Sequence, residues 1–283
     1  MGLVRQRHPL SRKGILFAII LLIPLLVQAQ GNLLITPRRV VFEGGKKIQE
    51  LNLANNGADT ARFVISMVEI RMNEDGSFEN ITVPDSGQQF ASDFLRFFPH
   101  SVTLPPREAQ VVKLQLQHTA DLEPGEYRSH IYFRAVPNQK PLGAEKTLED
   151  SQTISIKLIP VFGISIPVVI RVGENNATAS ISDLSLSMDT IPRLNVTFHR
   201  AGNMSVYGNV SVDHISPNGK VTPIGFIKGV AVYTPNRKRQ LRIALAKVNG
   251  INYHAGKLRV SYHEDSQTNA KPGTLATSEI TLY

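Results

Sequence analysis

The sequence predicts an all-β protein built as two successive β-sandwiches. Three observations predict it: apolar residues recur with a period of two, turn-forming clusters separate the runs, and no segment sustains a 3.6-residue apolar period. The alternation is clear in Leu51-Asn-Leu53, Val112-Lys-Leu114-Gln-Leu116 and Ile131-Tyr-Phe133-Arg-Ala135. It recurs in Leu194-Asn-Val196-Thr-Phe198, Leu241-Arg-Ile243-Ala-Leu245 and Leu258-Arg-Val260-Ser-Tyr262. Successive strand side chains point to opposite faces, so each run offers one face to a core and one to water. Glu43-Gly44-Gly45, Asn73-Glu-Asp-Gly76 and Pro217-Asn-Gly219 supply the turns.

The chain divides near Val172-Gly-Glu-Asn-Asn176. Residues 31–172 and 173–283 are each the size of one immunoglobulin-like sandwich, with about seven strand candidates apiece. Residues 1–30 read differently. Arg5, Arg7, Arg12 and Lys13 precede an apolar run from Ile15 to Val27, which closes on Val27-Gln28-Ala29-Gln30. That order is a secretory signal peptide, and the run is shorter than the roughly 20 residues a spanning helix needs. A retained N-terminal anchor is the alternative. No later stretch is long enough and charge-free enough to span a membrane.

Export also accounts for much of the charge. The 283 residues carry a formal +8, of which the four basic residues of the signal supply half. Residues 31–172 hold 15 basic and 16 acidic side chains, and residues 173–283 hold 12 and 7. A nucleic-acid partner would need a continuous basic stripe with interleaved aromatics, which this chain lacks, and export argues against one. Arg237-Lys238-Arg239, with Arg242, follows Pro235-Asn236 and reads as a solvated turn. There is no cysteine, which excludes disulfides, a thiol nucleophile and thiolate-bound metal.

No catalytic constellation stands out: there is no nucleophile elbow, phosphate loop or zinc-protease motif. The eight histidines are scattered, and His263-Glu264-Asp265 reads as a solvated strand end rather than a metal site. A sugar-active enzyme using Asp183 and Asp189 finds no support in spacing. We therefore expect neither catalysis nor a metal.

Two features ask for an explanation. The segment from Ile154 to Val172 is a strand candidate about nineteen residues long, where strands run three to ten. Its apolar residues fall on both parities: Ile156, Leu158, Phe162, Ile164, Ile166, Val168 and Ile170 on one, Ile159, Val161 and Val169 on the other. Either the strand is buried on both faces or its edge pairs with another protein. The second feature is Arg38-Arg39, inside what reads as a first strand. Consecutive residues face opposite ways, so one guanidinium is turned inward and needs an anion. That anion is a structural partner or a ligand carboxylate, which the planar fork of Arg suits.

Several stretches resemble the PapD-like periplasmic chaperones of pilus assembly. Thr36-Pro-Arg-Arg-Val-Val-Phe42 is similar to that family's first strand, with Arg39 at its arginine position. Asn52-Leu-Ala-Asn-Asn-Gly57 is similar to the second strand and its turn, and Phe97-Phe-Pro-His-Ser-Val-Thr-Leu-Pro105 to the family's proline-bearing signature. Gly125 through Pro137 resembles the sixth strand, Ile154–Val172 the long last strand, and Gly202-Asn-Met-Ser-Val-Tyr207 a stretch of the second domain. Two positions depart from the pattern. Pro167 stands where the family has a lysine, and Arg128 aligns with its acidic residue at the start of the sixth strand.

The resemblance implies two immunoglobulin-like domains in an L- or boomerang-like arrangement and a periplasmic protein without enzymatic activity, cofactor or ATP. It implies donor-strand complementation: the chaperone lends an edge strand to a pilus or fimbrial subunit, then delivers it to an outer-membrane usher. Arg39 would anchor the subunit's C-terminal carboxylate. The inserted face would be Ile156, Leu158, Pro160, Phe162 and Ile164, with the register through Ile159 and Val161 left open. Arg171 is a candidate interdomain contact. The rival reading is an exported two-domain adhesion or structural binding module, which needs only an ordinary last strand.

Overall fold

The computed structural model describes residues 33–137, 161–265 and 273–283. Residues 1–30, read from the sequence as a signal peptide, and the donor candidates Ile156, Leu158 and Pro160 lie outside them. All but two short 3-10 turns of the regular structure is strand. No helix among the described residues is long and apolar enough to cross a membrane.

Before Gly173 the strands are β1 (Leu33–Thr36), β2 (Val40–Phe42), β3 (Ile48–Asn55), β4 (Ala61–Val68), β5 (Ile70–Met72), β6 (Phe78–Asn80), β7 (Leu95–Phe98), β8 (Ser101–Leu104), β9 (Ala109–Leu116), β10 (Gly125–Val136) and β11 (Gly163–Val172). They form two facing sheets, β1-β3-β9-β7 and β2-β11-β10-β4-β8, with β5 and β6 as a separate hairpin. The alternating residues meet between the sheets: Leu51, Leu53, Val112 and Leu114 from one, Phe63, Ile65, Ile131, Phe133 and Val168 from the other. Each such side chain contributes roughly 1.5–3 kcal/mol by leaving water.

After Gly173 come β12 (Thr178–Met188), β13 (Pro192–Ala201), β14 (Val206–Ile215), β15 (Val221–Val232), β16 (Lys238–Ala244), β17 (Gly256–Glu264) and β18 (Thr274–Leu282). Their sheets are β12-β13-β16 and β15-β14-β17-β18. The core repeats the alternation, with Leu194, Val196 and Phe198 facing Val210, Val212, Val260 and Tyr262.

Two sequence expectations need correction. Arg38 and Arg39 do not lie inside a strand. Pro37 has no N–H to continue the ladder, so the chain bends over residues 37–39 and changes sheets. The basic run Arg237-Lys238-Arg239 is not simply a solvated turn, because β16 begins at Lys238 and Arg239 donates to the Ala231 carbonyl at 2.8 Å. Of the Ile154–Val172 strand candidate, the described part forms a ten-residue strand from Gly163 to Val172; residues 154–160 lie outside the described part.

The β5–β6 hairpin ties the two sandwiches together. Asn236 donates its side-chain amide to the Met72 carbonyl at 2.5 Å, and the Gln240 backbone N–H donates to the Glu74 carbonyl at 2.6 Å. Met72 is buried against Ala231 and Tyr233.

Candidate functional site

The site is set by how β11 is paired. On one side its whole length runs antiparallel to β10, from Gly163 opposite Arg134 to Val172 opposite Gly125. On the other side β2 runs parallel to it over Val168–Ile170 alone. Because the bend at residues 37–39 sends β1 to the opposite sheet, Gly163–Pro167 keep a free edge among the described residues. The pairing with β10 continues one residue upstream, where the Ala135 N–H donates to the Phe162 carbonyl at 2.9 Å.

Side chains follow the same division. Ile166, Val168 and Ile170 point into the sandwich core and are at most 5% exposed. Phe162 and Ile164 continue that parity past the covered part of the core and are 59% and 37% exposed; Val161, on the other parity, is 48% exposed. At Gly163 a Cβ would collide with the Tyr132 ring, so only glycine lets that ring lie across the strand.

The outer face of β10 and β11 meets the second sandwich in three rows. In the first, Pro167 stands opposite His130, and the register places Arg39 on its other side, one residue before Val40. In the second, Val169 pairs with Arg128, and in the third Arg171 pairs with Glu126.

The third row is a buried ion pair shared between the sandwiches. Arg171 Nε donates to Glu126 Oε2 at 3.2 Å, and Nη2 donates to the Ser205 carbonyl at 2.9 Å. The Glu126 carboxylate also accepts from the Ser205 N–H at 3.0 Å, from the Ser205 hydroxyl, and from Thr234 Oγ1 at 3.3 Å. Every partner a buried carboxylate needs is present. Glu126, not Arg128, is therefore the acid at the start of this strand; the alignment placed it two residues late.

Arg128 has a different surrounding. It is 2% exposed, lies 4.5 Å over the Tyr233 ring and donates Nη1 to the Ile70 carbonyl at 3.2 Å. Burial pulls its pKa below the usual guanidinium value. His130 beside it meets Phe78 edge-on, with centroids 5.9 Å apart, and its Nδ1 has no partner among the described residues. Burial first, and Arg128 second, push its pKa down to about 3, so the ring is neutral.

Arg39 closes the first row. Arg38 is exposed, whereas Arg39 is 9% exposed and its guanidinium carbon sits 4.4 Å over the Tyr207 ring. Its Nε and Nη2 are buried and have no hydrogen-bond partner among the described residues. A buried cation with unpaired donors is costly, and an anion is what would satisfy it. A cavity of about 330 Å³ opens beside it, lined by residues that include Pro37, Gln49, Lys46, Arg171, Tyr207 and Asp265.

One side-chain pair among the described residues of the second sandwich invites a catalytic reading and does not support it. Ser182 Oγ is 2.6 Å from His199 Nε2, but it donates its proton to Asp183 Oδ2 at 2.9 Å. His199 must then donate to Ser182, so it is no base toward that hydroxyl. No group of three or more metal-ligating side chains occurs among the described residues.

Sequence reasoning missed Glu126, Ser205, Tyr207 and Tyr233 as members of this interface. The Asn-x-Ser-x-Tyr stretch at Asn203 was the only signal, and it pointed to the segment rather than to its contacts.

No model of a protein family matches the chain, and no curated protein matches it. Solved structures do. The chain is similar to the YadV chaperone at 13% identity, with 88% of this chain and 99% of that one covered and a TM-score of 0.42. It is similar to the CupB2 chaperone of Pseudomonas aeruginosa at 12% identity, covering 88% and 100%, with a TM-score of 0.42. It is also similar to the E. coli chaperone DraB at 11% identity, covering 89% and 96%, with a TM-score of 0.41. What the chain has in common with these chaperones is the all-β, two-sandwich fold.

Proposed function

We propose that this chain is a non-enzymatic periplasmic chaperone that holds pilus or fimbrial subunits by lending them the free edge of β11, before handing them to an outer-membrane usher. The observation that carries the proposal is that edge: Gly163–Pro167 are hydrogen-bonded on one side only among the described residues, and Phe162 and Ile164 stand exposed beside it. A strand with one open row of backbone groups and apolar side chains on alternate positions can complete a sheet that lacks a strand. By parity the inserted face continues from Ile164 and Phe162 to Pro160, Leu158 and Ile156. Left unpaired, such an edge invites aggregation, so a dedicated occupant is its natural use.

Arg39 anchors the far end. Its unpaired N–H groups are there to donate to a carboxylate, and the C-terminal carboxylate of a subunit fixes the register of the added strand. The Glu126–Arg171 pair keeps the second sandwich beside that anchor. No cofactor is needed, since the free energy comes from the subunit completing its fold.

The test is Arg39→Ala, produced in the periplasm with candidate subunits. The expected result is loss of subunit recovery, with the variant unfolding at the wild-type temperature. Wild-type recovery of the complex would refute the anchor.

A further inference from the structure

We infer that Tyr207, from the second sandwich, is the positioning residue that aims the Arg39 guanidinium at an incoming carboxylate. The inference rests on the reading of Arg39 as a carboxylate anchor. Three observations lead to it.

The first is the geometry of the arginine. Nε and Nη2 share one edge of the guanidinium plane, and these are the two donors left without partners. Together they are the fork that takes a carboxylate in bidentate fashion. The guanidinium carbon lies 4.4 Å over the Tyr207 ring, so the ring occupies one face of the cation and fixes the plane of its donors; the Nε–Nη2 edge is itself covered, and a carboxylate must displace that cover to pair with it.

The second is that Tyr207 is itself held. Ser205, two residues earlier, is bonded through its N–H, hydroxyl and carbonyl to Glu126 and Arg171. The ring packs against the cluster of Met72, Ala231 and Tyr233. Its hydroxyl has room because residue 229 is glycine: a Cβ there would stand 2.9 Å from the Tyr207 oxygen.

The third is charge. Burial holds the Tyr207 hydroxyl above its ordinary pKa, so the ring faces Arg39 as a neutral aromatic. It orients the cation without neutralising it, and the positive charge remains for the ligand. The state of the interface between the sandwiches is thereby linked to the strength of the anion site.

The test titrates the whole protein, by NMR, with an acetylated hexapeptide of alternating valine and serine ending either in a free carboxylate or in a carboxamide. The wild type should prefer the carboxylate about tenfold. Tyr207→Phe keeps the ring and should keep the preference. Tyr207→Leu should reduce it about fivefold. Gly229→Ala, whose Cβ would stand 2.9 Å from the Tyr207 oxygen and which also strains a backbone of positive φ, should reduce it too, and serves where the leucine variant does not fold, with its unfolding temperature read beside the titration. A wild-type preference that survives in the leucine or alanine variant overturns the role of Tyr207 and leaves the anchor standing. Equal binding of both peptides by the wild type refutes the anchor itself.

Discussion

The two halves of β11 share a strand, a partner and a pattern of alternating apolar residues, yet they serve opposite ends. From Val168 onward the strand is enclosed between β2 and β10, its apolar side chains are sealed in the core, and Arg171 ties it to the second sandwich. Upstream of Val168 the same alternation continues with one edge open and Phe162 and Ile164 exposed. What changes at the boundary is the neighbour, not the type of residue. The bend at Pro37 removes the strand that would have covered the upstream half. One half stores stability, and the other has hydrogen-bonding capacity left over among the described residues.

That contrast is broken most severely at its enclosed end. Glu126→Ala takes from Arg171 its buried carboxylate, leaving only the exposed Glu43 at 3.8 Å, and should cost about 3–5 kcal/mol in denaturant unfolding. A loss within experimental error would show that the two sandwiches do not depend on this pair. Next, paired substitutions sharpen the boundary. Ile170→Ala, in the enclosed half, should cost about 2–5 kcal/mol. Ile164→Ala, in the open half, should stay within about 0.5 kcal/mol while weakening subunit binding. Equal losses of stability from the two would remove the distinction.

His130 offers a smaller and pH-dependent effect. It is neutral when folded, with a pKa of about 3 against an ordinary 6.5. The unfolded chain therefore takes up a proton first as pH falls. The stability due to this residue is complete above pH 6.5 and drains away as pH drops toward 3. Between pH 7 and 4.5 the loss should be about 2–3 kcal/mol. His130→Phe, which keeps a ring against Phe78, should flatten that slope, and an unchanged slope would place the titration elsewhere.

The fold was legible because alternation is a direct consequence of one face being buried, and residues such as Leu51, Leu53, Val112 and Leu114 obey it strictly. The hairpin of β5 and β6 was not. Its strands are three residues each, too short for a period, and two of its ties to the second sandwich are hydrogen bonds to the carbonyls of Met72 and Glu74 that side-chain pattern does not reveal. The acid at the interface was misplaced for a related reason. Glu126 and Arg128 are two apart and lie on the same face, so sliding one onto the other costs nothing in alternation. Only the three-dimensional pairing with Arg171 separates them. Arg39 could be singled out because an arginine beside an apolar strand is conspicuous, but the tyrosine beneath it lies 168 residues further along the chain.

The account's central claim concerns the open half of β11, and amide hydrogen exchange of the free protein and of its subunit complex tests it most directly. The account predicts that peptides covering residues 161–167 exchange quickly in the free protein and slow to the rate of residues 168–170 in the complex. A stable complex in which residues 161–167 exchange as fast as in the free protein would contradict it.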